Sequence, residues 1–305
     1  MTDGFDWDLL RSFLVVARAG RLTAAARTMK IDHSTLSRRM YGLEKTLGVT
    51  LFDRRLSGYP LTPQGEKLLA LAEQVESGVI GIQADIAGED SQISGTVRIG
   101  APDGFGTAFL AHHIGTLSRR HPELDVELVA TPRSFSLSKR EADISIGLSP
   151  PAHGRHHARR LTDYELGLYA ARDMPGLDRI STVDDLARFP FISYIDDLIF
   201  APELDYVPSI SREIKPRIRS SNLIAQMNAV ATGAGICVLP CFLTRTRPEL
   251  VRILADDVRL IRTFWMIVHS DMRQLSRIRT TADFIGEAVR RAGDFFTPGR
   301  GCGGT

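Results

Sequence analysis

The chain has 305 residues, more than one typical domain holds, so two or three compact units are expected. Its 43% hydrophobic and 24% charged content exclude a disordered polymer, and its three cysteines (Cys237, Cys241, Cys302) are too few for a disulfide framework or a closed zinc site. The net charge of +2 excludes nothing, but residues 1–60 hold ten Lys/Arg against six Asp/Glu, a net of +4, while the other 245 hold 28 against 30, a net of −2. A basic head on a near-neutral body is the footprint of a duplex-binding module; the bland reading is chance asymmetry. The opening Met1–Asp8 is acidic and lacks the plan of a signal peptide, and no run approaches the roughly 18 consecutive apolar residues of a membrane helix, so a cytoplasmic protein without membrane contact is expected.

In chain order, Leu9, Leu10, Phe13, Leu14, Val16 and Ala17 recur at helical spacing, and Gly20 stops that helix. A second helix follows over Leu22–Met29, with Thr23 positioned to cap it and small alanines that let a neighbour approach. Lys30-Ile31 makes a short turn. Asp32 suits the N-cap of a third helix over His33–Leu47, whose core face is Leu36, Met40, Leu43 and Leu47, with Gly48 ending it. The result is a helix-turn-helix. Leu51–Arg55 and Tyr59–Thr62 flank Leu56-Ser57-Gly58, a hairpin signal that reads as a wing. Thr62-Pro63 then opens a long helix, Thr as cap and Pro at the first position. Its apolar residues Leu68, Ala72, Val75, Val79, Ile82 and Ile86 form a heptad seam, and a seam wants a partner; the bland reading is packing on its own domain. Gly78 and Gly81 each weaken this helix by ~1 kcal/mol against Ala.

From Gly95 onward strands alternate with helices. Strands are expected at 96–100, 125–130, 142–148, 165–171, 191–194, 217–220, 235–240 and 264–268, and helices near 106–120, 182–188, 222–232 and 274–291. This alternation predicts an α/β unit with largely parallel sheets. The Gly-rich tail, 298–305, is expected to be flexible.

A recognition helix needs polar side chains on its outward face near its N-terminus, because that end enters the major groove. His33, Ser34, Thr35, Ser37 and Arg38 meet this need, and Arg38 has the fork geometry for guanine O6 and N7. Lys30, Arg39 and Arg54 are placed to hold phosphates, and Thr23 completes the DNA-facing set. The bland alternative is a solvated helix face.

These residues carry a specific resemblance. Arg21–Met29, Asp32–Met40, Leu43-Glu44, Leu47–Val49, Leu51–Arg54 and the junction Leu61–Gly65 resemble, in order and at family spacing, the LysR-type transcriptional regulators, with a match through nearly all of residues 6–66. His33-Ser34 departs from the Gln-Pro of many members, which bears on the bases preferred and not on the docking mode. The resemblance implies an N-terminal all-α winged helix-turn-helix (1–63), a dimerisation linker helix (64–90), and a C-terminal α/β effector-binding domain like a periplasmic binding protein (91–297). That domain would have two subdomains, about 91–161 with 269–297 and about 162–268. It also implies a homodimer through the linker, assembly into a homotetramer, binding to interrupted inverted repeats of double-stranded DNA, an unknown small-molecule effector, and contact with RNA polymerase.

Ligands of parallel α/β sheets bind beyond the carboxyl ends of strands. That rule selects Pro102, Asp103, Thr131, Pro132, Gly147, Tyr194, Ile195 and Asn222 as effector-cleft candidates, each of which is otherwise a plain turn or cap. Asp103 stands where many family members place Ser or Thr; its carboxylate would neutralise a helix dipole itself and repel an anionic ligand, with Arg133 as a compensating charge. Cys237 and Cys241 read as buried structural thiols in an extended segment. His153, His156 and His157 read as a solvated crossover loop, not a metal site. There is no nucleophile elbow, Walker loop, dinucleotide fingerprint or zinc helix motif, so no catalytic residue, metal or cofactor is expected. A DNA-binding head fused to a catalytic α/β domain and an unspecific architectural DNA binder are the competing readings. The expected mechanism is a population shift, in which effector binding changes half-site spacing and DNA bend.

Overall fold

The architecture comes from a computed structural model that describes residues 7–53, 58–87, 93–135, 141–151 and 156–298. It comprises two units, Met1–Ser91 and Gln92–Thr305, each with its own core. Arg54, Arg55, His153, Cys302 and the tail beyond Pro298 lie outside the described residues.

The first unit holds helices α1 (Trp7–Ala19), α2 (Leu22–Met29), α3 (His33–Leu47) and α4 (Pro63–Ala87). Leu10, Phe13, Leu14, Leu22, Leu36, Met40, Leu43 and Phe52 form its buried core. Phe13 and Phe52 lie 5.3 Å apart between ring centroids. The turn between α2 and α3 is set by Lys30 in the left-handed region (φ 53°), its amide returning to Ala26 and Arg27 carbonyls. Asp32 takes the N-cap position of α3 with extended backbone, but its side chain makes no cap bond. Thr23 does not cap α2 either: the helix begins at Leu22, so Thr23 sits exposed inside the first turn. Leu47, expected in the core, is 36% exposed, in an uncovered run from 45 to 50 over which none of the described residues packs.

The wing is minimal among the described residues: one antiparallel bridge, Phe52 with Leu61, flanked by Asp53 N–H to Pro60 O (2.8 Å) and Thr62 N–H to Leu51 O (3.0 Å). Pro60 has no amide to extend the ladder. Glu44 on α3 accepts from the amides of Leu51 (2.8 Å) and Phe52 (3.3 Å), tying the wing to that helix. Thr62 caps α4, its Oγ1 accepting from Gly65 N–H at 3.1 Å. A Cβ on Gly65 would lie 2.2 Å from Leu51 O, so only glycine lets α4 start against the wing strand.

The expected seam of α4 divides. Ala72 is fully buried in the head's own core and Leu68 packs against it, whereas the apolar residues left exposed are Leu71 (58%) and Val75 (49%). The side chains of Ile82 and Ile86 lie outside the described set.

In the second unit the strands are β1 (Gly95–Ala101), β2 (Leu124–Ala130), β3 (Ile144–Gly147), β4 (His156–Ala171), β5 (Phe191–Ser193), β6 (Ile218–Arg219), β7 (Ile236–Pro240), β8 (Leu250–Ile253) and β9 (Leu260–His269). They join in the order β2-β1-β3-β9-β4-β7-β5-β6, with β8 also on β4. Each flank is parallel: β1 with β2 and β3, β5 with β6 and β7. The centre is antiparallel, which corrects the expectation of a largely parallel sheet. The reason is topological: β4 and β9 carry the chain between the flanks in opposite directions and pair with each other, from His156 opposite His269 to Leu166 opposite Leu260, with an irregularity between Arg160 and Thr162.

The helices are α5 (Asp103–Phe105), a π-helical turn (Gly106–Leu110) running into α6 (Ala111–Arg120), α7 (Leu223–Ala231), α8 (Cys241–Thr244) and α9 (Ser276–Arg291). The 182–188 segment is 3-10, not α-helical. β8 was not expected, and β4 starts at His156, so His156 and His157 belong to a strand and not to a crossover loop. Polar HHARR hides that strand from a hydrophobicity reading; pairing with β9 makes it.

Candidate functional site

Two regions collect the predicted residues. The first is the outer face of α3. With Leu36, Met40 and Leu43 locked inward, helical periodicity turns His33, Ser34 and Arg38 outward, all exposed, and leaves Thr35 and Ser37 half-buried beside them. Arg38 has no hydrogen bond or ion pair to the described residues, so its guanidinium fork is free. Thr23 and Lys30 are exposed on α2 and at its end. Arg39 differs from expectation: half-buried, it donates to Ser12 Oγ on α1 at 3.1 Å, and Ser12 donates in turn to Asp8 O at 2.7 Å. That chain fixes the angle of α3 against α1. Tyr41, 60% exposed on α3, was not among the sequence candidates.

The second region is a cleft where the carboxyl ends of the two parallel flanks, which run in opposite directions, meet: β1 through Pro102 and Asp103 and β3 through Leu148 on one side, β5 through Tyr194 and β7 through Pro240 on the other. Phe105, Tyr164, Tyr206, Phe242 and Phe264 complete most of its wall. The enclosed volume is about 20 Å³, room for about one water and far below the several hundred of a ligand-bearing site. The cleft is shut. Asp103 shuts it: 5% exposed, its Oδ2 accepts the Leu223 N–H at the start of α7 at 2.7 Å. Burial pushes this carboxyl above its usual range, while the amides of Leu223 and Gly104 pull it back. A Cβ on Gly104 would meet Leu223 Cδ2 at 2.9 Å, so glycine permits the close approach.

Of the eight predicted cleft residues, Pro102, Asp103 and Tyr194 line the cavity. Asn222 stands next to it as the N-cap of α7, its Oδ1 accepting from Ala225 N–H at 2.9 Å. Thr131, Pro132, Gly147 and Ile195 are not brought into it; Gly147 packs against Ile267 instead, and Arg133 pairs with Glu141 at 3.0 Å. The aromatic wall was missed. Its only sequence signal is that Phe105, Tyr194 and Phe242 each follow soon after a strand end. Roomier hollows in the second unit include one of about 390 Å³ beside α9 (His157, Arg159, Arg273) and one of about 590 Å³ around Phe109 and Met227, and neither takes in a residue predicted for the cleft.

Cys237 and Cys241 are buried thiols outside any disulfide among the described residues; Cys241 opens α8 rather than continuing the strand. Burial pushes the Cys237 thiol up, away from the reactive thiolate. Among the described residues no group of three or more His, Cys, Asp and Glu has metal-binding geometry, and no helix is long and apolar enough to cross a membrane.

The model of the bacterial regulatory helix-turn-helix family, lysR type, matches residues 7–66, and that of the LysR substrate binding domain matches residues 90–290. The chain belongs to the LysR family. It is 29% identical over 258 residues to the HTH-type transcriptional regulator PtxR of Pseudomonas aeruginosa, covering 80% of each chain. It is 26% identical over 293 residues to the Mau operon transcriptional activator of Paracoccus denitrificans, covering 95% and 99%. A full-length OxyR variant from Pseudomonas aeruginosa shares the fold with a TM-score of 0.68 at 21% identity, over 94% of this chain and 95% of that one. This LysR-family chain is therefore a DNA-binding transcriptional regulator with a C-terminal effector-binding domain, and the reading as a head fused to a catalytic domain gains no support.

Proposed function

We propose that this regulator reads double-stranded operator DNA in the cytoplasm with the exposed face of α3. His33, Ser34, Thr35, Ser37 and Arg38 address base edges, and Thr23, Lys30 and Arg54 hold phosphates. Arg39 acts through Ser12 as a positioning residue. The observation that carries the reading is the exposed Arg38, without a partner among the described residues, on a helix whose opposite face buries Leu36, Met40 and Leu43. The exposed Leu71 and Val75 of α4 support a homodimer through that helix, which places two recognition helices on an interrupted inverted repeat. A homotetramer and a contact with RNA polymerase complete the assembly. The second unit senses a small molecule in the cleft of Pro102, Asp103 and Tyr194, and binding shifts the population between its closed form and an open one.

Electrophoretic titration of Arg38→Ala against operator and random duplex tests the head. Operator affinity is expected to fall by about 1–3 kcal/mol with discrimination relaxed at one base position. Equal loss on both duplexes would remove the base-reading role.

A further inference from the structure

We infer that the cleft takes an organic cation, a primary amine or quaternary ammonium on a compact apolar body, and that the Asp103 carboxylate sets this preference. The inference rests on the effector reading above and narrows it to a ligand class.

The position an organic acid would seek is already filled. A helix N-terminus attracts a carboxylate through its free amides, and at α7 the protein supplies its own, Asp103 Oδ2 on Leu223 N–H at 2.7 Å. An external carboxylate that displaced it would take the Leu223 amide and leave the Asp103 carboxylate beside itself without that bond.

The rest of the wall suits a cation. Tyr164, Tyr194, Tyr206, Phe105, Phe242 and Phe264 surround the cavity, with Tyr164 and Phe264 stacked at 4.1 Å and Tyr194 and Tyr206 6.2 Å apart. Aromatic faces carry negative potential, and a cage of them with a carboxylate at one side is the chemistry that holds ammonium groups. A second carboxylate stands behind the rings: Glu203, whose Oε2 is buried without a hydrogen-bond partner among the described residues and whose charge reaches Tyr164. Arg262 opposes them, donating to the Glu203 backbone carbonyl at 3.3 Å. The formal charge of the three together is −1.

Closure then becomes part of selection. At about 20 Å³ the cavity admits no organic ligand until Asp103 and Leu223 separate. A cation replaces the lost amide as the partner of Asp103, so it favours the open arrangement by its difference in affinity for the two.

The test is thermal unfolding of the full-length protein at constant ionic strength with tetramethylammonium, butylammonium, butyrate or benzoate, and potassium chloride as control. The two ammonium ions are expected to raise the melting temperature saturably and the two carboxylates not to. Asp103→Asn should weaken the ammonium effect at least tenfold, and Asp103→Ser, which frees the Leu223 amide, should let the carboxylates stabilise instead. The wild-type comparison needs no variant to fold, and the far-ultraviolet dichroism and cooperative unfolding transition of the second unit in each variant check that it has. Saturable stabilisation of the wild type by butyrate or benzoate, lost in Tyr194→Ala, would overturn the cation class and leave the effector reading standing. An ammonium effect equal in wild type and Asp103→Asn would overturn it too, by placing binding elsewhere. No response of wild type or Asp103→Ser to any probe would overturn both readings.

Discussion

The head keeps its polar residues outside its core, and the effector-binding domain buries them within its own. In the head the only fully buried polar side chain is Ser12 among the described residues, while His33, Ser34 and Arg38 stand in solvent on a helix already fixed by Leu36, Met40 and Leu43. In the second unit Asp103, Ser145, Glu165, Gln226 and Thr281 are all buried. Recognition by the head is thus separable from its stability, whereas sensing by the second unit is part of its stability: the group proposed to meet the effector is the group that closes the fold.

The sharpest way to break this contrast is at Glu165. Its carboxylate, 1% exposed, meets Arg252 at 2.8 Å and Arg259 at 3.1 Å, and Arg252 is itself only 5% exposed. Glu165→Ala should destabilise the second unit by about 3–5 kcal/mol, since it leaves a buried guanidinium unpaired. Chemical denaturation followed by far-ultraviolet dichroism should show an early transition for this unit and an unmoved one for the head. Arg38→Ala should do the reverse, costing about 1–3 kcal/mol in operator binding while shifting the head's unfolding by less than about 0.5 kcal/mol.

Lys30→Gly tests whether function and stability compete at one position of the head. Lys30 has φ 53° and ψ 42°, a conformation that costs a non-glycine residue about 1 kcal/mol. The variant should melt at a higher temperature by that equivalent and bind all duplexes more weakly, with a shallower salt dependence. If stability rises and binding is unchanged, Lys30 holds no phosphate.

The smallest effect expected is a slope. The folded-state pKa of Asp103 is raised, mainly by burial, above the ordinary 3.8. As pH climbs past 3.8 the unfolded chain releases this proton first, so the wild type should lose stability relative to Asp103→Asn. The loss should level off once the native carboxyl has ionised. Denaturation midpoints of the two proteins across that range check the sign, and a wild type that gains on the variant would mean that the Leu223 amide outweighs burial.

Much of the head was legible because its signals are local. Apolar spacing within α1 and α3, Gly48 after α3 and Thr62-Pro63 before α4 each act within a few residues. Leu47 misled, because periodicity says which face is apolar and not how far a neighbour extends to cover it. In the second unit, strand ends were readable enough to place Pro102, Asp103 and Tyr194 in the cleft. Thr131, Pro132, Gly147 and Ile195 satisfied the same rule and lie outside it, since a strand end faces the cleft only on the side where the flanks meet.

By itself the sequence determined that an outward polar face would stand on α3 and that strands would alternate with helices from Gly95 on, because hydrophobic periodicity and capping are interactions between near neighbours. Only the tertiary structure decided that Asp103 would meet Leu223, 120 positions away, and that rings from residues 105, 164, 194, 206, 242 and 264 would share one wall. Those contacts depend on two strands that cross between flanks in opposite directions, and their pairing partners are chosen by the whole sheet.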